Sequence, residues 1–414
     1  MKQLLFLLAL IFIVPELLSQ EKLFDISVHG FVAVDAAYNS RASNEVRNKH
    51  IYLYPLPKKI ENGVDLNNQG AFDIDAAHSR LSLHVKGPTF QGVSVFGMIE
   101  ADFLGSSPTS DTNLRLRQAY IQLGYKDFDF IAGQTWHPFF IPEYYPRTLN
   151  ANVGAPIHPL SRNPQLRISH TITPSLKWSL MVIEQNNFRS LAFEDGSEKS
   201  NFPEVDLQIQ LGGSGNFRAA LTAGYKQLAV PRPENAVWTK RPIVEGIHFQ
   251  SNFFISLPKL VVRTGAVYGD NLTEHIMPGG VGLLQSSDPI NKPEYKPLSV
   301  FSTWLDINSK STKWDPGLFV GYLKNLGALD KISVEKDLSR DPRLANIWVI
   351  SPRLRYHVTP QACVGLEYSY TQAGWGETEI LNNIEVTKFN SYGKPQNVEN
   401  FHNHRTLLSV RYNF

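Results

Sequence analysis

Apolar and polar residues alternate along most of the chain beyond residue 24, and a period of two is the mark of a strand with unlike faces. From Trp348 to Val358, the apolar positions Trp348, Ile350, Leu354, Tyr356 and Val358 interleave with Arg353, Arg355 and His357. In Ser175 to Glu184, Leu176, Trp178, Leu180 and Val182 stand opposite Lys177 and Ser179 before the register loosens at Met181. The clearest segments run about ten residues, the length a tilted strand needs to cross a hydrocarbon layer. The pattern predicts strands near 25–38, 71–86, 90–103, 113–124, 127–134, 163–171, 175–184, 204–213, 215–227, 243–256, 259–269, 297–308, 313–323, 344–357, 360–371 and 404–414.

The connections alternate in kind. Tight turns at Gly87-Pro88, Gly212 to Gly215, Leu257 to Lys259 and Thr359-Pro360 trade places with long polar stretches at 39–70, 135–162, 185–203, 228–242, 270–296, 324–343 and 372–403. Compact soluble domains seldom carry many loops beyond about 15 residues, whereas a barrel with short periplasmic turns and long external loops has this rhythm. The final segment places Thr406, Leu408, Val410, Tyr412 and Phe414 on one face and Arg405, Ser409, Arg411 and Asn413 on the other. Ending on such a strand suits a sheet whose last strand pairs with its first, which removes both edges. The expected fold is all-β: a transmembrane antiparallel β-barrel of 16 strands, an even number as in bacterial barrels.

The start of the chain reads differently. Lys2, the apolar run Leu4 to Val14 and the polar exit through Pro15, Glu16, Ser19 and Gln20 have the parts of a secretory signal peptide. We therefore expect residues 1–20 to be removed and residues 21–414 to form the barrel. No later stretch of about 18 apolar residues offers a membrane helix. Cys363 is the single cysteine, so neither an intramolecular disulfide nor a cysteine-cluster metal site is available. A formal charge of +2 lacks the concentrated basic field that a nucleic-acid partner would require.

Charged groups on a lipid-facing surface cost about 2–4 kcal/mol each near the midplane, so basic residues within strands belong on the water side. Arg115 and Arg117 share one strand face, with Leu114 and Leu116 on the other. Arg80, Ser82, His84 and Lys86 form a second such series, Arg353 and Arg355 a third, and Arg263 and Arg405 are further candidates. The stretch 135–162 is stiffened by Pro138, Pro142, Pro146, Pro156 and Pro159 and carries Trp136, Phe139, Phe140, Tyr144 and Tyr145. Folded inward, it would narrow the lumen and present Glu143, Arg147 and Arg162 to a passing solute; as a lid or a subunit contact it would use the same rings. Together these groups suggest a modest preference for anions.

No catalytic constellation rises above this background. His137 and His158 lack a third ligand at fixed spacing, so no metal centre is expected. Asp73, Asp75 and His78 suit lumen solvation, and Ser79 beside His78 has no nucleophile-elbow context. The chain is read as a non-enzyme without cofactor, its partners being small hydrophilic, possibly anionic, solutes and membrane lipid. Adhesin or structural surface protein is the competing class, with an outer-membrane hydrolase behind it. A TonB-coupled transporter would need a longer chain and a plug domain.

At the level of family, the chain resembles the Gram-negative porins, and within them the DcaP-like and phosphate-selective channels. The resemblance rests on the signal at 1–20, the strand pair Leu114 to Gly124 and Phe128 to Gln134, the long loop that follows, and the terminal Tyr412-Asn413-Phe414. Its pattern Arg117-x-Ala119-Tyr120-x-x-Leu123-Gly124 is short. The resemblance implies a 16-stranded barrel in the outer membrane, assembled as a homotrimer, that passes small solutes by diffusion past an inward-folded loop.

Overall fold

The structure, a computed structural model, describes residues 24–46, 49–105, 113–232, 236–238, 240–381 and 384–414. The expected signal peptide lies outside them. Sixteen antiparallel strands form a closed wall. In chain order they are β1 (Asp25–Asn39), β2 (Arg80–Lys86), β3 (Val93–Asp102), β4 (Arg115–Tyr125), β5 (Phe128–Trp136), β6 (Arg162–Thr173), β7 (Leu176–Ile183), β8 (Glu204–Leu211), β9 (Phe217–Ala229), β10 (Ile243–Ser256), β11 (Leu260–Asp270), β12 (Tyr295–Ser309), β13 (Trp314–Gly327), β14 (Leu344–His357), β15 (Ala362–Trp375) and β16 (Glu399–Asn413). Each coincides with a segment that the alternation predicts.

Burial along these strands is the inverse of a soluble protein's. Val32, Val34, Leu81, Leu83, Ile121, Leu123, Leu207, Ile209, Leu408 and Val410 are exposed, while Asp35, Ser82, Glu100, Asp102, Asp206, Gln208, Asn252 and Asp306 are buried. Lipid outside and a polar interior produce that inversion. At the rim carrying the short turns, Phe24, Phe90, Tyr125, Phe128, Phe217, Trp314, Tyr412 and Phe414 face outward, as an aromatic girdle does at a membrane–water interface.

Closure is made by β1, which pairs with β2 from Asp25↔Lys86 to Phe31↔Arg80 and with β16 from Phe31↔Asn413 to Asn39↔Arg405. Gly30 and Phe414 exchange backbone hydrogen bonds at 2.9 and 3.1 Å. The predicted strand 71–86 is interrupted at 76–79. Ala71–Asp75 pairs with the far half of β1, and in the gap Ser79 Oγ accepts from Ala33 N–H at 3.1 Å while His78 reaches Asp35 at 3.3 Å.

The interior is filled from the long-loop side. Residues 137–161, between β5 and β6, cross the lumen to the opposite wall. Arg147 N–H donates to Asp306 on β12 and Leu149 N–H to Glu367 on β15, at 3.2 and 2.7 Å. Ser302 Oγ donates to the Ile157 carbonyl at 2.7 Å. Gly321 on β13 gives Ile157 its place, since a Cβ there would lie 2.8 Å from Ile157 Cδ1. A second inward element was not legible in the alternation: the hairpin Ser43–Val46 with Ile51–Pro55. It buries Ile51, Leu53 and Tyr54, and Trp375 Nε1 donates to the Pro55 carbonyl at 2.8 Å. The pairs Ile60–Glu61 with Val64–Asp65 and Thr378–Leu381 with Ile384–Thr387 also stand off the wall, while Gly279–Leu284, paired with Ile332–Arg340, extends it by pairing with the first residues of β12. Most of these strands are too short for a period to register in sequence.

A ring of hydrogen-bonded strands has no free edge at which unfolding starts. The refolded protein is therefore expected to resist SDS at room temperature and to change mobility only on boiling. Identical mobility before and after boiling, with a helix-dominated far-ultraviolet spectrum, would contradict the barrel.

Candidate functional site

A charged cluster lies where residues 137–161 face the wall of β1–β4. Arg115 and Arg117 occupy adjacent inward positions of β4, and opposite them β3 presents Glu100 and Asp102. Arg115 binds Asp102 with two hydrogen bonds, at 3.0 and 2.7 Å. Arg117 spans both carboxylates, at 2.7 Å to Glu100 and 2.6 Å to Asp102. Gln118 adds a donor to Glu100 at 3.2 Å, and Arg80 on β2 approaches Glu100 at 3.7 Å. This ladder is rigid because the planar guanidinium fork and the carboxylate match in geometry.

Further arginines arrive from distant strands and rest on aromatic faces. Arg411 of β16 lies 3.5 Å from the Phe31 ring centroid, Arg147 4.1 Å from Tyr145, and Arg162 4.6 Å from Trp136 and 5.0 Å from Phe188. Arg355 of β14 pairs with Asp315 at 3.2 Å and donates to the Thr148 carbonyl at the same distance. These groups converge on a cavity of about 350 Å³, lined by Arg80, Arg115, Arg117, Arg147, Arg162, Arg355 and Arg411 together with Phe31, Trp136, Phe140, Tyr145 and Phe188. Among the described residues, no Asp or Glu lines it. The carboxylates that balance part of the charge sit behind the arginines, in the wall.

Of the residues singled out from sequence, Arg80, Arg115, Arg117, Arg147, Arg162 and Arg355 meet at this cavity, whereas Arg263 and Arg405 do not line it. Glu143 and Arg353 stand outside it. Glu143 turns to β9 and β11, pairing with Arg218 at 2.9 Å while its carbonyl accepts from Arg263 at 3.1 Å. Arg353 is sealed against Asp306 at 2.7 Å, neither side chain exposed. Arg411 was overlooked, although its alternation with Arg405 and Ser409 already placed it on the inward face. His137 and His158 are not brought together as a pair. His158 packs edge-on against Trp304 and Phe140, and burial pushes its pKa down to about 3. Asp75 binds His50 at 2.9 Å, leaving His78 to Asp35.

The sequence profile of the family described as DcaP outer membrane protein matches residues 18–219, about half of the chain. No curated protein matches the sequence. Among solved structures, the outer membrane channel DcaP of Acinetobacter baumannii superposes with a TM-score of 0.66 at 15% identity, over 94% of this chain and 97% of that one. An anion-selective porin from Comamonas acidovorans gives 0.56 at 7% identity, over 94% and 100%. The trimer form of OmpT from Vibrio cholerae gives 0.55 at 10% identity, over 94% and 99%. With its matched N-terminal half, its closed wall of sixteen strands and its loop folded across the lumen, the chain belongs to the DcaP-like family of outer-membrane porins.

Proposed function

We propose that the protein is a passive diffusion channel for small hydrophilic solutes, with a modest preference for anions set where residues 137–161 meet β1–β4. The observation that carries this reading is the cavity lining, which among the described residues has seven guanidinium groups and no carboxylate. A permeating anion there exchanges part of its hydration shell for fixed donors, in water too confined to screen them as bulk solvent does. Glu100, Asp102 and Asp315 lie behind the arginines and offset part of the field. The result is a bias rather than a strict filter. Anion selectivity in the Comamonas porin and a trimer in Vibrio OmpT are consistent with extending both properties to this chain; for the trimer, mild-detergent mass measurement is the test.

Planar-bilayer recording tests the channel directly. Reproducible open-channel steps are expected, with a reversal potential on the anion side in a KCl gradient that shrinks as ionic strength rises and the Debye length falls below about 10 Å. A cation-preferring pore would overturn the selectivity. A sealed barrel would overturn the channel and favour a structural or adhesive surface protein.

A further inference from the structure

At the root of the inward loop, apart from the arginine cavity, His137 meets Glu204 and Asp206 of β8 and His248 of β10. All four side chains are 0–2% exposed. One donor atom from each lies within 4.8 Å of all the others. His137 Nε2 is 2.7 Å from Glu204 Oε1 and 3.6 Å from Asp206 Oδ2, and His248 Nε2 is 2.8 Å from Asp206 Oδ1 and 3.7 Å from Glu204 Oε1. We propose that these four residues form a binding site for a divalent transition-metal ion of the zinc class, which ties the start of the loop to the wall.

Three observations carry the proposal. Two imidazole nitrogens and two carboxylate oxygens are a donor set that zinc takes in tetrahedral coordination, and bonds of about 2.0–2.1 Å place such donors about 3.3 Å apart, inside the range seen here. The ion-pair partners of the two carboxylates are the imidazoles themselves, while the neighbouring Lys226 is engaged by Glu274 and the Asn271 carbonyl. Two buried carboxylates without a fixed cation require either protons on the imidazoles or a bound cation. Asp206 Oδ2, fully buried and turned toward His137, has no hydrogen-bond partner, as does His248 Nδ1; an orphaned buried acceptor of this kind points to a missing ligand.

The outer contacts link the site to the loop. Gln185 Nε2 donates to Glu204 Oε2 at 3.1 Å and fixes that carboxylate. Phe139 N–H donates to His137 Nδ1 at 3.1 Å, so without metal the imidazole proton sits on Nε2, between His137 and Glu204. Ligation through Nε2 transfers that proton to Nδ1, where it meets the Phe139 N–H. The Phe139 peptide must then turn away, and metal loading moves the backbone at the loop's entry.

The test is metal content and spectroscopy on the refolded, SDS-resistant barrel. After stripping with EDTA and reloading with Zn²⁺ or Co²⁺ at micromolar free metal, about one equivalent per chain is expected to survive desalting. The Co²⁺ form is expected to show the intense visible bands of a four-coordinate ion. Glu204→Gln and His248→Asn should each weaken binding at least tenfold. Replacing His402 and His404, an exposed pair on the outer face of β16, by Asn should leave it unchanged. Substoichiometric metal in the wild-type barrel overturns the proposal, as does binding lost with the His402/His404 change and retained in Glu204→Gln. If a variant fails to fold, wild-type stoichiometry and the cobalt spectrum decide alone.

Discussion

Replacing Asp102 by asparagine is expected to destabilise the barrel by about 3 kcal/mol, the scale observed when one partner of a buried ion pair is removed and the other is left charged. Asp102 is fully buried and is the sole described carboxylate partner of Arg115; it is also one of two for Arg117. An amide keeps the shape and one acceptor but removes the charge that both guanidinium groups face. Urea unfolding in micelles, followed by loss of the SDS-resistant form, measures the effect. Adding Arg115→Met to the Asp102→Asn variant should recover part of the loss, because an apolar side chain leaves no buried charge wanting a partner. An unchanged midpoint in the single variant would mean that water entering the lumen solvates these arginines and that the ladder is not structural.

The second large effect concerns selectivity. Arg147 and Arg411 line the cavity while resting on Tyr145 and Phe31, with no carboxylate at ion-pair distance among the described residues. Changing both to glutamine removes two positive charges without stranding an acid. Two unit charges about 6 Å from a passing ion contribute about 1.4 kcal/mol even at the dielectric constant of water. That corresponds to about tenfold in local anion enrichment. The reversal potential in a dilute KCl gradient should therefore move toward cations, with the difference from wild type fading at high salt. An unmoved potential in an intact barrel would place the selective field elsewhere. Changing Arg115 and Arg117 to alanine should move the potential further toward cations, but for a mixed reason: it also exposes the charges of Glu100 and Asp102. The Arg147/Arg411 variant is the cleaner measurement.

Much of the wall was legible because alternation is a local property. Every residue of a strand between lipid and water declares its side, so Leu114-Arg115-Leu116-Arg117 could be oriented without knowledge of any neighbour. The same logic applied to Arg411, which shares its face with Arg405 and Ser409; there the signal was present and unused. The stiffness of 135–162 was equally local, set by its prolines and rings, and it agrees with a segment that folds inward and packs. The hairpin at 43–55 gave no comparable signal. Its strands are four and five residues long, and its apolar residues divide between loops, where Ile51 packs, and the wall, where Tyr54 meets Trp375.

By itself, then, the sequence determined the class of fold, the strand positions, the inward direction of the arginines and the rigidity of the loop, since each follows from residue type at short spacing. The tertiary structure alone decided which charges meet. Arg80, Arg162, Arg355 and Arg411 come from β2, β6, β14 and β16, and their convergence depends on barrel closure and on the path of residues 137–161. Closure also set Glu100 and Asp102 behind Arg115 and Arg117, sent Glu143 and Arg353 away from the cavity, and gave His137 the partners Glu204, Asp206 and His248 in place of His158. Periodicity fixes the face on which a side chain lies but not its neighbour across the lumen, because that distance is set by strand tilt, stagger and loop course, which no short window of residues contains.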